Sequence, residues 1–242
     1  MWIKICGNTT LGDAQLAVTH GADAVGFVFA ESPRRVTPES VRRITDQLPH
    51  SLEKFGVFLD ADFAAIVDTV RVAGLTGVQL HAADETGLAA RLRKHYVDHP
   101  VTDGRFGILQ VLHYAGDANR FATQLRSLRI NTAMDAVLID SCTATQQGGT
   151  GIKFDWAGAR DSFLGEAPHL RLIAAGGLRP ENVTQAIQTL QPWGVDVSSG
   201  VESQPGRKDP KRVAAFIHAA RTAAAELEKI PVRREYNVPA KV

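Results

Sequence analysis

The sequence predicts an α/β protein built as a single (β/α)8 (TIM) barrel, and three observations lead to this prediction. Eight short β-like runs are spread over the whole chain, and each stops at a polar, reactive or glycine residue. Stretches with helical start and stop signals separate the runs, as in parallel sheets with crossover helices. The length of 242 residues is close to the ~250 typical of one such barrel.

The predicted strands are rich in Val, Ile, Leu and Phe and lie near residues 2–6, 24–29, 54–59, 77–81, 106–112, 136–140, 170–175 and 195–198. They stop at Cys6, Phe29, Leu59, His81, His113, Asp140, Gly176 and Ser198. A solenoid also repeats at such spacings, but these units share no internal sequence pattern. A closed barrel is therefore favoured, and its chemistry belongs at the C-terminal ends of the strands.

Local signals indicate where several helices begin and end. Thr37-Pro38 and Asp209-Pro210 each offer an N-cap followed by proline at the first helical position. Gly21 is a plausible residue just beyond the end of the first helix. The polar segment 95–104 predicts a surface loop.

The sequence divides into a barrel over residues 1–230 and a C-terminal extension over residues 231–242. The extension carries Pro231 and Pro239 and no hydrophobic periodicity, which predicts an irregular segment and not a domain.

Composition excludes several classes of partner. The net charge is +1 with no long run of one sign, which gives no support to nucleic-acid or membrane-surface binding. No run approaches the ~20 apolar residues that span a bilayer, and the N-terminus lacks the apolar stretch of a signal peptide. Two cysteines, Cys6 and Cys142, cannot form a disulfide framework. We therefore expect a cytoplasmic protein.

Three glycine clusters late in the chain predict a phosphate site. Glycine lets backbone N–H groups approach a phosphate closely, and barrels usually bind phosphate at the loops after strands seven and eight. Tight turns are the alternative reading, but the placement favours phosphate. The candidate residues are Gly149, Gly151, Gly176, Gly177, Ser199 and Gly200.

Two strand ends offer groups for proton transfer. Cys6 follows the first strand, where a lone cysteine is usually an inert core residue, although a thiolate there would be a base if neighbours lowered its pKa. Asp140 completes an apolar strand, where it either caps the next loop or transfers protons. Arg34, after the second strand, either lies on the surface or clamps a carboxylate through two parallel hydrogen bonds. His81 is open to the roles of ligand, base or rim histidine. The spacing of His95 and His99 is weak evidence for a metal site, and we predict none.

With these residues laid out, the chain resembles the phosphoribosylanthranilate isomerase family of tryptophan biosynthesis. The resemblance covers about residues 2–220. It rests most strongly on the segments KICG at 4–7, GADAVGFVF at 21–29, SPR at 32–34, VQLH at 78–81, LIDS at 138–141, GGTG at 148–151, AGGL at 175–178 and GVDVSSGVE at 194–202. Departures from the family pattern are modest. Ala82 stands where the family usually has glycine, and Ile152 stands where it often has a polar residue.

The resemblance implies an Amadori rearrangement of a phosphosugar–anthranilate substrate. The sequence leaves open whether the chain is a monomer or a homodimer. Cys6 is implied as the general base, Asp140 as the general acid and Arg34 as the anchor of the anthranilate carboxylate. Gln79 and His81 are assigned to substrate binding, and the loops after strands six, seven and eight to phosphate. The chemistry needs neither a metal nor another cofactor.

Two alternatives stay open at this point. A histidine-pathway type of phosphosugar barrel isomerase would place aspartate where Cys6 stands. A non-catalytic phosphosugar-binding scaffold would have no reason to keep Cys6, Asp140 and Arg34 together. Indole-glycerol-phosphate synthase, a further barrel enzyme, needs a catalytic lysine near strand two or three, where only Lys54, at the start of a strand, is available.

Overall fold

Eight parallel strands close into a barrel in a computed structural model that describes residues 1–81, 87–101, 104–114, 117–128, 132–140, 156–168 and 170–229. The strands pair in chain order, and the last pairs with the first. Ile5 has Val25 as its partner on one side and Val197 on the other, which closes the barrel. The strands are β1 (Trp2–Ile5), β2 (Ala24–Val28), β3 (Glu53–Phe58), β4 (Gly77–Leu80), β5 (Gly107–His113), β6 (Ala136–Asp140), β7 (Arg171–Ala175) and β8 (Gly194–Val197). The predicted fold class is confirmed.

A helix follows each barrel strand in the chain. The helices are α1 (Leu11–Thr19), α2 (Pro38–Thr45), α3 (Phe63–Ala73), α4 (Leu88–Asp98), α5 (Ala118–Leu128), α6 (Trp156–Glu166), α7 (Val183–Leu190) and α8 (Pro210–Glu228). Thr37 and Asp209 are N-caps whose side chains accept hydrogen bonds from backbone N–H groups of the first turn. Gly21 takes the left-handed conformation, with φ +87°, just past α1. These three predicted boundaries are confirmed.

The predicted loop over residues 95–104 is wrong in its first part. Helix α4 continues through His95 to Asp98, and His99 is its C-cap. The buried Tyr96 explains the difference, since its ring stacks on Phe106 at a centroid distance of 3.7 Å. The contact between Tyr96 and Phe106 thus helps to keep this polar segment helical. The sequence of the segment, in which charged and polar residues dominate, does not reveal that contact.

The barrel interior is apolar at the bottom and polar at the top. Trp2 and Phe55 meet edge to face at a centroid distance of 5.9 Å and fill the bottom with aromatic area. Gly77 makes room for this plug, because a Cβ there would lie 2.4 Å from the Phe55 ring. Above the plug lie the buried Lys4, Gln79 and Asp196, and the candidate site lies above them.

A second apolar layer fills the space between the barrel and the helices. The strand residues that alternate with the interior ones, such as Ile3, Ile5 and Val195, are fully buried against helix residues such as Phe216 and Ala17. Strands buried on both faces are typical of parallel sheets covered by helices. This packing fixes the strand ends and hence the geometry of the site.

A short β-hairpin after β8 was not predicted. A one-turn 3-10 helix (Ser199–Val201) leads into β9 (Glu202–Gln204), which pairs antiparallel with β10 (Arg207–Lys208). The hairpin crosses to the loop after β1, where the Thr9 hydroxyl donates to the Gly206 carbonyl at 2.6 Å. It therefore ties the end of β8 to the end of β1.

Two further findings concern the chain as a whole. No helix in the described ranges combines the length and apolar character that crossing a membrane requires. The predicted irregular extension over residues 231–242 lies outside the described residues.

Candidate active site

A cavity of about 340 Å³ opens at the C-terminal ends of the strands. It brings together most of the residues that the sequence singled out, which are Cys6, Arg34, Gln79, His81, Asp140, Gly176, Gly177 and Ser199. Gly149 and Gly151 lie outside the described residues. Gly200 does not line the cavity. It packs on the backbone after β7, where a Cβ would lie 1.8 Å from the Leu178 carbonyl oxygen.

Cys6 lies directly beyond the last residue of β1 and is a buried free thiol. Its backbone N–H donates to the Val197 carbonyl at 2.8 Å, so β8 holds it at the barrel rim. Its side chain packs against Gly26 of β2, where a Cβ would lie 2.6 Å from Sγ. The absence of a side chain at Gly26 thus gives the sulfur its position.

Burial dominates the electrostatics of Cys6. Burial raises the pKa of the Cys6 thiol, and the ammonium groups of Lys4 and Lys208 offset only part of this effect. Asp196 adds to the rise as a nearby negative charge. The sequence left open whether neighbours lower the pKa of this thiol; in the folded chain desolvation is the largest effect, so the pKa lies above its ordinary value.

Asp140 lies at the end of β6, across the barrel mouth from Cys6. The strands β7 and β8 separate β6 from β1 along the shorter way round the barrel. The side chain of Asp140 is partly exposed and lines the same cavity. A molecule in this cavity therefore has a thiol on one side and a carboxyl group on the other.

Arg34 is held from below by a buried carboxylate. Its Nε and Nη2 donate to the two oxygens of Glu202 at 2.8 and 2.6 Å, in a two-bond pair. Burial alone would raise the pKa of Glu202, but Arg34 and Lys208 hold it below its usual range. Hydrogen bonds to Glu202 likewise raise the pKa of Arg34. A positive charge is thus fixed at the cavity wall.

Lys208 joins the hairpin to the rim of the barrel. Its Nζ donates to the Glu202 carboxylate at 3.0 Å and to the carbonyl groups of Cys6 and Ser198 at 2.5 and 3.2 Å. Its side chain is fully buried. The backbone carrying Cys6 and the carboxylate that orients Arg34 are therefore fastened by one ammonium group.

His81 is neutral at physiological pH. Burial lowers its pKa to about 4, and the nearby His113 and Lys4 contribute further. Gln79 accepts a hydrogen bond from Lys4 through Oε1, so its amide nitrogen faces His81 Nε2 at 3.1 Å. An amide nitrogen only donates, so His81 Nε2 is the acceptor and its proton is on Nδ1.

The loop after β7 and the 3-10 helix after β8 border the cavity together. Gly176 and Gly177 have φ values of +75° and +61°, which only glycine adopts readily. Asn182 fixes this loop by donating to the Gly177 carbonyl at 3.0 Å and accepting from the Arg179 N–H at 2.8 Å. The partly exposed Gly176 and the exposed Gly177 and Ser199 thus form one edge of the cavity.

Sequence reasoning missed four buried charged residues at this site, which are Lys4, Asp196, Glu202 and Lys208. A signal was available for two of them. Lys4 and Asp196 interrupt otherwise apolar strands, and an isolated charge in a strand buried on both faces must find a partner. No comparable local signal marks Glu202 or Lys208, whose hairpin is short and polar.

The fold and the site define a (β/α)8-barrel enzyme with groups for acid–base chemistry at the C-terminal ends of its strands. Residues 3–219 match the model of the family described as N-(5'phosphoribosyl)anthranilate (PRA) isomerase. The chain belongs to this family, and the resemblance seen in the sequence is confirmed.

Individual relatives agree over nearly the full length. The N-(5'-phosphoribosyl)anthranilate isomerase of Pelobacter propionicus is 37% identical over 225 residues, which cover 93% of this chain and 97% of the relative. That of Citrifermentans bemidjiense is 38% identical over 223 residues, covering 92% and 98%. The crystal structure of phosphoribosyl anthranilate isomerase from Thermotoga maritima is 34% identical, with a TM-score of 0.78, and covers 92% of this chain and 99% of the other.

Proposed function

We propose that this chain converts N-(5'-phosphoribosyl)anthranilate into 1-(2-carboxyphenylamino)-1-deoxyribulose 5-phosphate by an Amadori rearrangement. The observation that carries the proposal is the placement of Cys6 and Asp140 on opposite sides of one cavity. A solved relative, 33% identical and with a TM-score of 0.74, is a complex with reduced 1-(o-carboxyphenylamino)-1-deoxyribulose 5-phosphate. Rescue of a tryptophan auxotroph lacking the isomerase tests the activity in a cell, and failure of an expressed, folded chain to rescue would contradict it.

The first step opens the sugar ring. The Asp140 carboxyl group donates its proton to the furanose ring oxygen while the bond between C1 and that oxygen breaks. The lone pair of the anthranilate nitrogen forms the C1–N double bond, so an iminium ion results. A carboxyl group near the ring oxygen is the acid that this step needs.

The second step moves the double bond. The Cys6 thiolate removes the C2 proton, the C–H electron pair forms a C1–C2 double bond, and the iminium electrons return to nitrogen. The resulting enolamine takes a proton at C1 and loses the proton of its C2 hydroxyl, which gives the ketose. No electron enters or leaves the substrate, so the chemistry is complete without a redox cofactor or a metal.

Arg34 binds the anthranilate carboxylate in this proposal, with a geometry that the structure modifies. The sequence suggests a clamp through two parallel bonds, but Glu202 takes the Nε–Nη2 edge of the guanidinium. The substrate carboxylate therefore uses the Nη1–Nη2 end. Apolar wall residues such as Val57, Phe58 and Leu59 offer a surface for the aromatic ring, while Gln79 and His81 face the sugar.

We expect Arg34→Lys to raise KM by about tenfold or more, because hydrogen bonds between charged groups each contribute about 1.5–3 kcal/mol. An ammonium group cannot bond Glu202 and the substrate at once in a planar arrangement. Glu202→Gln should raise KM in the same direction by loosening the guanidinium. Steady-state kinetics measure both effects.

Arg35→Lys is the matched control for these variants. Arg35 is the next residue, forms an ion pair with the exposed Glu31, and its own side chain is 60% exposed. It should keep the parent KM. A KM equal to that of the parent in Arg34→Lys would remove Arg34 from carboxylate binding.

The phosphate group of the substrate is proposed to bind at the edge formed by Gly176, Gly177 and Ser199, with the backbone at Gly200. The loop after β6, which carries Gly149 and Gly151, completes this site in the proposal. Backbone N–H groups at glycine positions and at a helical turn suit an anion. Substitution of Gly177 is a poor test, since its φ of +61° strains any side chain.

Ser199→Asp tests the phosphate site without backbone strain. A carboxylate at this exposed edge should raise KM at least about tenfold and weaken inhibition by inorganic phosphate, because juxtaposed like charges cost several kcal/mol. Ser203→Asp adds the same charge on the exposed face of the hairpin and should leave KM unchanged. Equal KM values in the two variants would place the phosphate elsewhere.

Three further aspects belong to the proposal. We assign the barrel domain to residues 1–230, since the last described helix ends at Glu228. A solved Thermotoga maritima relative is called dimeric, with monomers generated from it, and both a monomer and a homodimer suit this chain. A cytoplasmic location suits a free thiol at the position of Cys6, because a reducing compartment keeps a base thiol from oxidation.

A further inference from the structure

Lys4 is a fully buried lysine that the proposed mechanism does not use. It lies two residues before Cys6 on β1, so both side chains point into the barrel. Its Nζ donates to Asp196 at 3.0 Å and to Gln79 at 2.7 Å, and no part of its side chain is exposed. Burying an ammonium group is costly, and a barrel interior packs well with apolar residues alone. Its position directly under the cavity therefore calls for an explanation.

The thiol and the lysine share one space next to Gly26. A Cβ at Gly26 would lie 2.6 Å from Cys6 Sγ and 3.0 Å from Lys4 Cε. The sulfur and the end of the lysine side chain thus flank the same gap in the wall of β2. A positive charge next to a thiol favours its ionised form, the thiolate.

The charges around Cys6 sum to an excess of one positive charge while the thiol is neutral. The cations are Lys4 on β1, Lys208 on β10 and Arg34 after β2, and the anions are Asp196 on β8 and Glu202 on β9. His81 on β4 is neutral, and Asp140 lies on the other side of the cavity, outside this cluster. A thiolate at Cys6 would therefore bring this cluster to zero net charge.

We propose that Lys4 is a positioning residue for Cys6. The ammonium group of Lys4, which Asp196 and Gln79 fix beneath the cavity, stabilises the Cys6 thiolate. This proposal rests on the proposed function, in which Cys6 is the general base. Lys4 does not line the cavity, whereas Cys6 and Gln79 do, so its effect on the substrate is exerted through the thiol. Burial opposes ionisation of Cys6, and Lys4 is the largest influence that favours it, lowering the pKa of the thiol. Burial alone would lower the pKa of Lys4, but Asp196 and Cys6 raise it, so its charge persists.

Direct titration of the thiol tests this proposal. The rate of alkylation by iodoacetamide against pH, in a Cys142→Ser background, reports the ionisation of Cys6 alone. Two variants are compared, Asp196→Asn and the double variant Lys4→Met with Asp196→Asn. The double variant removes the buried ion pair as a unit, which avoids leaving one charge without its partner. The single variant is its matched control, since both carry the same change at Asp196.

The expected shifts have opposite signs. Asp196→Asn removes an anion near the sulfur and should lower the pKa of Cys6 relative to the parent. Adding Lys4→Met should raise that pKa by at least about one unit above the single variant, and the rising limb of kcat/KM against pH should move by the same amount. If the Lys4–Asp196 pair had only a structural role, both variants would change the stability of the protein, but the pKa of Cys6 would not shift in opposite directions.

The proposal would be overturned if Cys6 had the same pKa in the single and the double variant. If the double variant does not fold, Lys4→Gln in the same background is titrated instead, since Asp196 lines the cavity, and a thiol pKa equal to or below that of the parent would overturn the proposal. The titration measures the thiol and not turnover. Full activity in Cys6→Ser would sink the proposed function and leave this measurement standing.

Discussion

Replacement of Asp140 by Asn lowers kcat by about 10²- to 10⁴-fold, the usual contribution of general acid catalysis. The amide keeps the shape of the side chain at the end of β6 but cannot donate a proton to the ring oxygen. KM should change much less, because the cavity wall is otherwise intact. Steady-state assay of the purified variant, with its circular dichroism spectrum matched to the parent, gives the result.

Asp135→Asn is the control on the same segment of chain. Asp135 precedes β6 and pairs with Arg93 at the far end of the strand, so this change affects stability and not the chemical step. Activity of Asp140→Asn within a factor of about ten of the parent would show that another group is the acid.

Cys6→Ser should lose turnover to a similar extent, about 10²- to 10⁴-fold. The serine hydroxyl fits beside Gly26 and keeps the fold, but it is far less acidic than a thiol and supplies no base. Iodoacetamide should inactivate the parent, and bound product should protect it. Inactivation that persists in Cys6→Ala and vanishes in Cys142→Ser would move the reactive thiol to Cys142 and contradict the assignment.

The pH dependence of the parent follows from the same residue. Since burial raises the pKa of Cys6, kcat/KM should still be increasing at pH values near the usual thiol pKa of about 8.5. Below the folded-state pKa only a small fraction of the enzyme carries the thiolate, so activity falls as the pH falls. A profile that is flat from neutral pH upward would mean that the base titrates far lower.

The strand order of this fold is accessible from sequence because parallel strands buried on both faces give apolar runs with sharp ends. Cys6, His81 and Asp140 stand within one residue of the ends of β1, β4 and β6. Their placement at one rim follows from the right-handed repetition of strand and helix. The N-caps Thr37 and Asp209 could also be predicted from the sequence, because an N-cap forms its hydrogen bonds within the first turn of its own helix.

Pairings between distant residues were not accessible in this way. The Lys4–Asp196 pair spans 192 positions and the Arg34–Glu202 pair spans 168, and no local pattern specifies either. The hairpin of β9 and β10 is tied to the end of β1 by the bonds from Lys208 to the Cys6 carbonyl and from Thr9 to the Gly206 carbonyl, which link residues far apart in the sequence. The raised pKa of Cys6 has the same origin, because desolvation is a property of the assembled barrel.

The most direct test of the whole account is conversion of N-(5'-phosphoribosyl)anthranilate by the purified chain, with a metal chelator present and no cofactor added. The parent should form the ketose product, and the double variant Cys6→Ser with Asp140→Asn should form it at least about 10²-fold more slowly. Since the two groups serve one reaction, the double variant should lose little more than the worse single variant. Absence of product from the folded parent, or conversion by the double variant at the parental rate, would contradict it.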